Sequence, residues 1–288
     1  MLRGAALLLL AWLTAACDPA PDPADPALWE VTAPGGQRGW LFGTVHALPA
    51  PAKWDTPPVA TALAEADLLM VEIADVGDSD AIGKVFARLS VSRNPLPPLT
   101  ARVEPAARGD LRTALDRHGL SDSQFAHLDT WAAALTLAQA AAPDIDKRYG
   151  IDGAVLDRAG ERPVVELEGT EAQLAIFDRL PEAEQADLLE AVARDAASLA
   201  GESADLMAAW RRGDMAVIER ETTRGLLADP ELREALFTAR NAAWTTRIGE
   251  AIAQGREPFV AVGAAHMAGP EGLPAMLEAE GFAVRRVR

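Results

Sequence analysis

The chain is predicted to be an α/β protein with a central β-sheet, strand-end G-x-x-H motifs and a helix-rich middle segment. Three observations support this. Short apolar runs bounded by glycine, proline or acidic residues stand near both ends, among them "RGWLFGTVH", "LLMVEIAD" and "PFVAVGAAHMAGP". Stretches of helical period rich in Ala and Glu fill the chain between them. Two of the strand-like runs end in the same phrase, Gly43-x-x-His46 and Gly263-x-x-His266.

Taken in order, the first residues form a signal rather than part of the fold. "MLRGAALLLLAWLTAAC" has Arg3, an apolar stretch from Ala5 to Leu13, and Ala15-Ala16 before Cys17, the layout of an export signal of residues 1–17. The apolar run is too short to span a bilayer as a helix. With Cys17 at the cleavage point, the stretch resembles a lipobox. The expectation is an exported cell-envelope lipoprotein facing the periplasm, anchored to the membrane by lipid at Cys17, with an ordinary cleaved signal and a soluble periplasmic protein as the alternative. Residues 18–27, "DPAPDPADPA", carry no periodic apolar face and are expected to form an extended solvated tether. A single domain is expected over 28–288.

Within that domain "LWEVTA", "PGGQ" and "RGWLFGTVH" predict a β-hairpin, with Gly35-Gly36 supplying the turn. "PVATALAEAD" predicts a helix and "LLMVEIAD" a buried strand. "SDAIGKVFARLS", "EPAARGDLRTALDRHGL" and "DTWAAALTLAQAAA" follow with helical period, the last apolar almost all round and therefore interior. "ERPVVELEGT" is the next strand. From about Glu171 to Gly255 the chain is helical, with breaks expected near Gly201, Gly213 and Asp229-Pro230. "PFVAVG", the helix "EGLPAMLEAEG" and the strand "FAVRRVR" complete it.

Composition limits the chemistry. The chain has 27 Lys+Arg against 43 Asp+Glu, a formal net charge of −16, which repels nucleic acid phosphates and anionic headgroups. Nucleic acid is therefore excluded as a partner. The single cysteine excludes an internal disulfide and, placed at the lipobox, a thiol nucleophile. No G-x-S-x-G, H-E-x-x-H, G-x-x-x-x-G-K-[ST] or G-x-G-x-x-G phrase occurs. Metal-assisted attack by water is what remains for an enzyme.

His46 and His266, two of only four histidines, end strands in the same phrase. Sites in α/β sheets assemble beyond the carboxyl ends of strands, so the two point to one site. Glu72 ends "LLMVE" and is its expected third member, since a carboxylate after four apolar residues is costly to bury without a partner. The alternative is that it leaves the sheet into solvent. Two imidazoles and a carboxylate form an open three-ligand set for a divalent metal ion, Zn, Mn or Co, with room for a water activated at neutral pH. Glu72 is then a ligand or the general base.

These phrases, with "YGID" at 149–152, "VVELEGTEAQ" at 164–173 and "RNAAW" at 240–244, resemble the TraB/GumN family. That family also contains PrgY-type pheromone-shutdown proteins and is similar to the Tiki metalloproteases of animals. The resemblance runs from about Trp29 to the C-terminus. It implies a metal-dependent, hydrolase-like fold lined by both histidines and the strand-end glutamate, and a peptide or protein substrate. It also allows a non-catalytic envelope module that binds a peptide or glycan. One departure is local: the family's LE-T phrase stands here as Glu168-Gly169-Thr170.

The family phrase places Arg240 on a helix face turned to the site, where a guanidinium holds a substrate carboxylate or an oxyanion; an ordinary surface charge is the alternative. Asp152 after Gly150 is expected to cap a helix. His118 before Gly119 suits a helix C-terminus, and His127 is expected to be a partly buried helix residue. Trp40 and Trp244 fall near the site phrases.

Overall fold

The computed structural model of the chain describes residues 20–142, 147–196 and 199–287. The expected signal, Cys17 and the first residues of the expected tether lie outside them. Among the described residues there are eight strands: β1 (Asp22–Pro23), β2 (Leu28–Thr32), β3 (Arg38–Thr44), β4 (Ala52–Lys53), β5 (Leu68–Val71), β6 (Val164–Glu166), β7 (Pro258–Gly263) and β8 (Ala283–Val287). Six form the central sheet in the order β6-β5-β7-β3-β2-β8, and β1 pairs with β4. The four strands β6, β5, β7 and β3 run parallel, while β2 is antiparallel to β3 and β8.

The expected hairpin is β2–β3, with Leu28 opposite Phe42 and Thr32 opposite Arg38. Of the glycine pair in its turn only Gly36 needs a positive φ, at 89°. Alternation along the strands divides the sheet between two cores. Trp40, Phe42, Leu69, Val71, Phe259 and Ala261 face one side, and Leu41, Leu68, Met70, Val260 and Val262 the other. A third apolar cluster lies within the helical middle, centred on the helix Thr130–Ala141, whose Trp131, Ala132, Ala133, Ala134 and Leu137 are fully buried. That all-round burial follows from its all-round apolarity. Among the described residues no helix is long and apolar enough to cross a membrane.

Three local expectations are corrected. Residues 22–27 are extended but not a free tether. Asp22 donates its N–H to the Pro51 carbonyl at 2.8 Å, the Asp25 N–H bonds Arg211 O at 2.8 Å, and Ala27 is buried. Pairing with β4 satisfies backbone groups that a tether would leave to water. The break expected near Gly201 is present, but it falls before that glycine, after the helix Glu182–Asp195 with its C-cap Ala196. Gly201 lies inside the helix Leu199–Arg211, where a glycine's cost is tolerated, and Gly213, with φ 60°, is the residue that ends that helix. His127 is exposed in a turn, its Nδ1 3.4 Å from the Ser92 carbonyl, rather than part of a helix. His118 does stand at a helix C-terminus, after Arg108–Arg117.

Candidate functional site

The carboxyl ends of the four parallel strands deliver four charged or titratable residues to one region. β3 leads to His46, β7 to His266, β5 to Glu72 and β6 to Glu168. This is where sites form in parallel sheets. Gly43 and Gly263 are neighbours across the β3–β7 register, Gly43 opposite Val262 and Thr44 opposite Gly263. A Cβ on Gly43 would stand 3.0 Å from the Ala264 Cα, and one on Gly263 3.3 Å from Glu72 Oε1. Glycine is thus required for close approach, in one case of the two G-x-x-H loops and in the other of backbone to carboxylate. Trp210 pins the first loop by donating its indole N–H to the Gly43 carbonyl at 2.8 Å.

Glu72 is buried and fully partnered. Its Oε1 accepts the Gly263 N–H at 2.7 Å, and its Oε2 accepts from Gln173 Nε2 at 3.1 Å and Arg240 Nη2 at 3.0 Å. Burial by itself would raise its pKa. The Arg240 and His46 cations and the Gly263 N–H oppose that and hold it below the usual carboxylate range.

Arg240 lies between two carboxylates. Nε and Nη2 grip Glu168 at 2.8 and 2.9 Å, Nη2 also reaches Glu72, and Nη1 donates to the Leu236 carbonyl at 3.1 Å and to His266 Nε2 at 3.3 Å. All five guanidinium N–H groups are thereby engaged, and the group also lies over the Trp244 ring at 4.7 Å. A single π-helical turn, Glu234–Thr238, precedes the helix Ala239–Ala253 that carries it. Such insertions re-aim side chains at functional sites. Here the turn places Phe237 against His266, with ring centroids 5.3 Å apart.

His266 is held by a chain of hydrogen bonds that settles its tautomer. Asn241 Nδ2 donates to the Glu271 carbonyl at 2.6 Å, which turns Asn241 Oδ1 toward His266 Nδ1, also at 2.6 Å. Nδ1 must therefore carry the proton, and Nε2 presents its lone pair to Arg240. Between Phe237 and Trp244, burial lowers the ring's pKa to about 4, with Arg240 and His46 adding to the effect against Glu72. His266 is neutral.

His46 has the opposite setting. Its Nδ1 lies 2.9 Å from Asp152 Oδ2, and the other Asp152 oxygen accepts from Thr44 Oγ1 at 2.5 Å. The side chain is 77% exposed at the mouth of a cleft, and Nε2 has no partner among the described residues. The Asp152 hydrogen bond dominates and raises the imidazole to about 9, so it is an imidazolium at neutral pH. Asp152, whose burial alone would raise it, is held low by His46 and Thr44. The expectation of a helix cap is corrected: the N-cap of the helix Ile151–Leu156 is Gly150, without a side-chain cap.

The cleft measures about 460 Å³. His46, Glu72, Asp152, Gln139 and Gln173 are its polar lining side chains, and Val71, Ile73, Val76, Ile82 and Leu156 are among its apolar ones. His266 and Arg240 stand behind Glu72 and do not reach the cleft wall.

A divalent ion does not fit the residues as they stand. The ligand atoms of His46, Glu72 and His266 do not all approach within 4.8 Å of one another. The lone pairs on Glu72 Oε2 and His266 Nε2 that would hold an ion are occupied by Arg240, itself a cation. The carboxylates that do meet that spacing among the described residues, Glu184, Asp229 and Glu231, lie in the helical segment, where Asp229 already caps the helix Pro230–Arg233.

The structure thus places His46, Glu72, His266 and Arg240 in one region, but in two compartments. Asp152, Glu168, Gln173 and Asn241 complete it. Their signal was present, since each lies within a phrase that carries the family resemblance; what each one touches could not be read there.

A model of the TraB/PrgY/gumN family matches residues 27–286. The chain is 31% identical over 256 residues to the uncharacterized protein YbaP of Escherichia coli strain K12, covering 86% of this chain and 90% of that protein, and equally to YbaP of Shigella flexneri. No solved structure matches it.

Proposed function

The chain belongs to the TraB/PrgY/gumN family, and from that premise we propose that it is a cell-envelope hydrolase that attacks peptide or protein amide bonds with water. The observation that carries the proposal is the meeting of the His46–Asp152 pair and the Glu72 carboxylate on one cleft whose lining is mostly apolar, with Gln139 and Gln173 its other polar side chains. Amide hydrolysis needs one group to take a proton from the attacking water and another to give a proton to the leaving nitrogen. Titratable groups whose surroundings drive their pKa values apart supply both.

Glu72 remains ionised, and the exposed His46 imidazolium carries a proton on Nε2. In the proposed sequence, water attacks the carbonyl carbon as Glu72 takes its proton, and His46 passes its Nε2 proton to the nitrogen as the C–N bond breaks. Glu72 then returns its proton to His46 through the solvent of the cleft, restoring both. A carboxylate held low is a weak base in water, and a bound substrate that excludes solvent strengthens it. Arg240 is a positioning residue: with no free N–H it orients Glu72 and His266 rather than the substrate.

No step is assigned to a metal ion. The metal dependence carried by the family resemblance enters as an arm of the test. Wild type and Glu72→Gln are compared on a peptide library after chelation, then with Mn, Co or Zn supplied. Glu72→Gln should fold and lose at least ~10² in rate. Thermal stabilisation by an ion that disappears in Glu72→Gln would put the ion in the place of Arg240. If nothing is cleaved and no ion stabilises the protein, the hydrolase proposal falls and a peptide- or glycan-binding module replaces it.

A further inference from the structure

Three apolar side chains beside the site serve no core. Ile73 and Val76 lie in the loop that leaves β5 after Glu72, and Ile82 is in the first turn of the helix Ser79–Ser90. All three are partly buried, and none belongs to any of the three apolar clusters. The same helix shows the contrast: Phe86 and Leu89 pack on the helical cluster, whereas Ile82 lines the cleft. With Leu156 these residues give an apolar wall to the cleft that His46, Glu72 and Asp152 also line, Gln139 and Gln173 being its uncharged polar members. Apolar surface left facing a cleft forgoes about 25 cal/mol for each Å² that a core would have buried. Walls of this kind, with a few polar groups at one end, are the usual form of a ligand pocket.

We infer that this wall receives a large apolar side chain of the substrate, next to the bond set between Glu72 and His46. The preferred substrate is then a peptide with Leu, Ile, Met or Phe at that position. A space of about 460 Å³ lies within the ordinary range for ligand clefts, with room for such a side chain and the flanking backbone. An acidic side chain would give up its hydration to apolar atoms and meet the negative charges of Glu72 and Asp152 in a chain of net charge −16. The cleavage half of this inference rests on the hydrolase reading; the binding half does not.

The test uses fluorescein-labelled peptides Ala-Ala-Ala-X-Ala-Ala, with X as Phe, Leu, Ala, Asp or Lys, and the whole chain. Binding is measured by anisotropy and cleavage by mass spectrometry. Phe and Leu peptides should bind about 10–100-fold more tightly than the Ala peptide, with Asp the weakest, and kcat/KM should follow the same order. Ile82→Asp should remove the preference without lowering the melting temperature. Should it fail to fold, Val76→Asp, in a loop, makes the same test. Cleavage that is indifferent to X and unchanged in these variants overturns the inference and leaves the hydrolase reading intact. Binding in the apolar order with no cleavage supports the wall and overturns the hydrolase reading. Neither binding nor cleavage of any peptide overturns both.

Discussion

Replacing Arg240 by Gln should destabilise the protein by about 3–5 kcal/mol, because it leaves two buried carboxylates without their common cation. The side chains of Glu72, Glu168 and Arg240 are 9%, 11% and 12% exposed, so solvent screens the cluster little. The variant keeps a hydrogen-bonding amide but supplies two N–H groups where the guanidinium supplied five. It also removes the cation from the Trp244 ring, worth about 1 kcal/mol. The assay is urea unfolding followed by circular dichroism at pH 7 and at about pH 3.5, below the ordinary carboxylate value. The sign with pH is fixed by Glu72. Its folded-state pKa is depressed, so its contribution is present above the ordinary carboxylate value and lost as pH falls. The variant lacks that contribution, and the difference from wild type should therefore narrow toward acid. Glu168→Gln added to Arg240→Gln should recover part of the loss, since one uncompensated charge is removed with it. Arg240→Lys should retain the attraction but not the fork to Glu168. A loss below about 1 kcal/mol that does not change with pH would show that the cluster behaves as an exposed pair, and the account of Arg240 as the buried organiser of Glu72 would be wrong.

Asp152→Asn should bring the His46 imidazole down from about 9 toward 6.5, read by NMR titration of its ring protons, and the alkaline limb of activity should move with it; an unmoved titration would remove Asp152 from the acid–base pair. His266, neutral with a folded-state pKa of about 4, contributes stability that is present above pH 6.5 and lost as pH falls from 6.5 toward 4, about 3 kcal/mol at 1.36 kcal/mol per pH unit; His266→Gln should flatten that part of the stability profile, and an unchanged slope would place the acid sensitivity elsewhere. Cys17→Ser should release the protein into the soluble periplasmic fraction with its circular dichroism spectrum unchanged, and continued membrane association would count against lipid attachment at Cys17.

The sequence by itself determined most of the strands and helices and the end of the sheet at which His46, Glu72 and His266 stand. Continuous apolar runs ending in Gly43 and Gly263, and the four apolar residues before Glu72, are local signals, because strand burial and turn chemistry depend on near neighbours in the chain. The position of a residue at a strand's carboxyl end follows from the same signals, so His46, Glu72 and His266 could be assigned to one end of the sheet. What each of them touches was decided only by the tertiary structure. Asp152 has the same spacing from Gly150 whether it caps a helix or holds an imidazole, and the crossing of its helix with the end of β3 made it a partner of His46. Arg240 could have faced water, substrate or carboxylates. It faces Glu72 and Glu168 because the order β6-β5-β7 makes neighbours of strand ends that lie far apart in the chain, and a buried carboxylate must take the cation that arrives beside it. The separation of His46 at the cleft mouth from His266 behind Glu72 has the same origin. Two matching phrases differ in what strand order and the π-helical turn set around them: the Asp152 hydrogen bond keeps one imidazole charged, and burial leaves the other neutral.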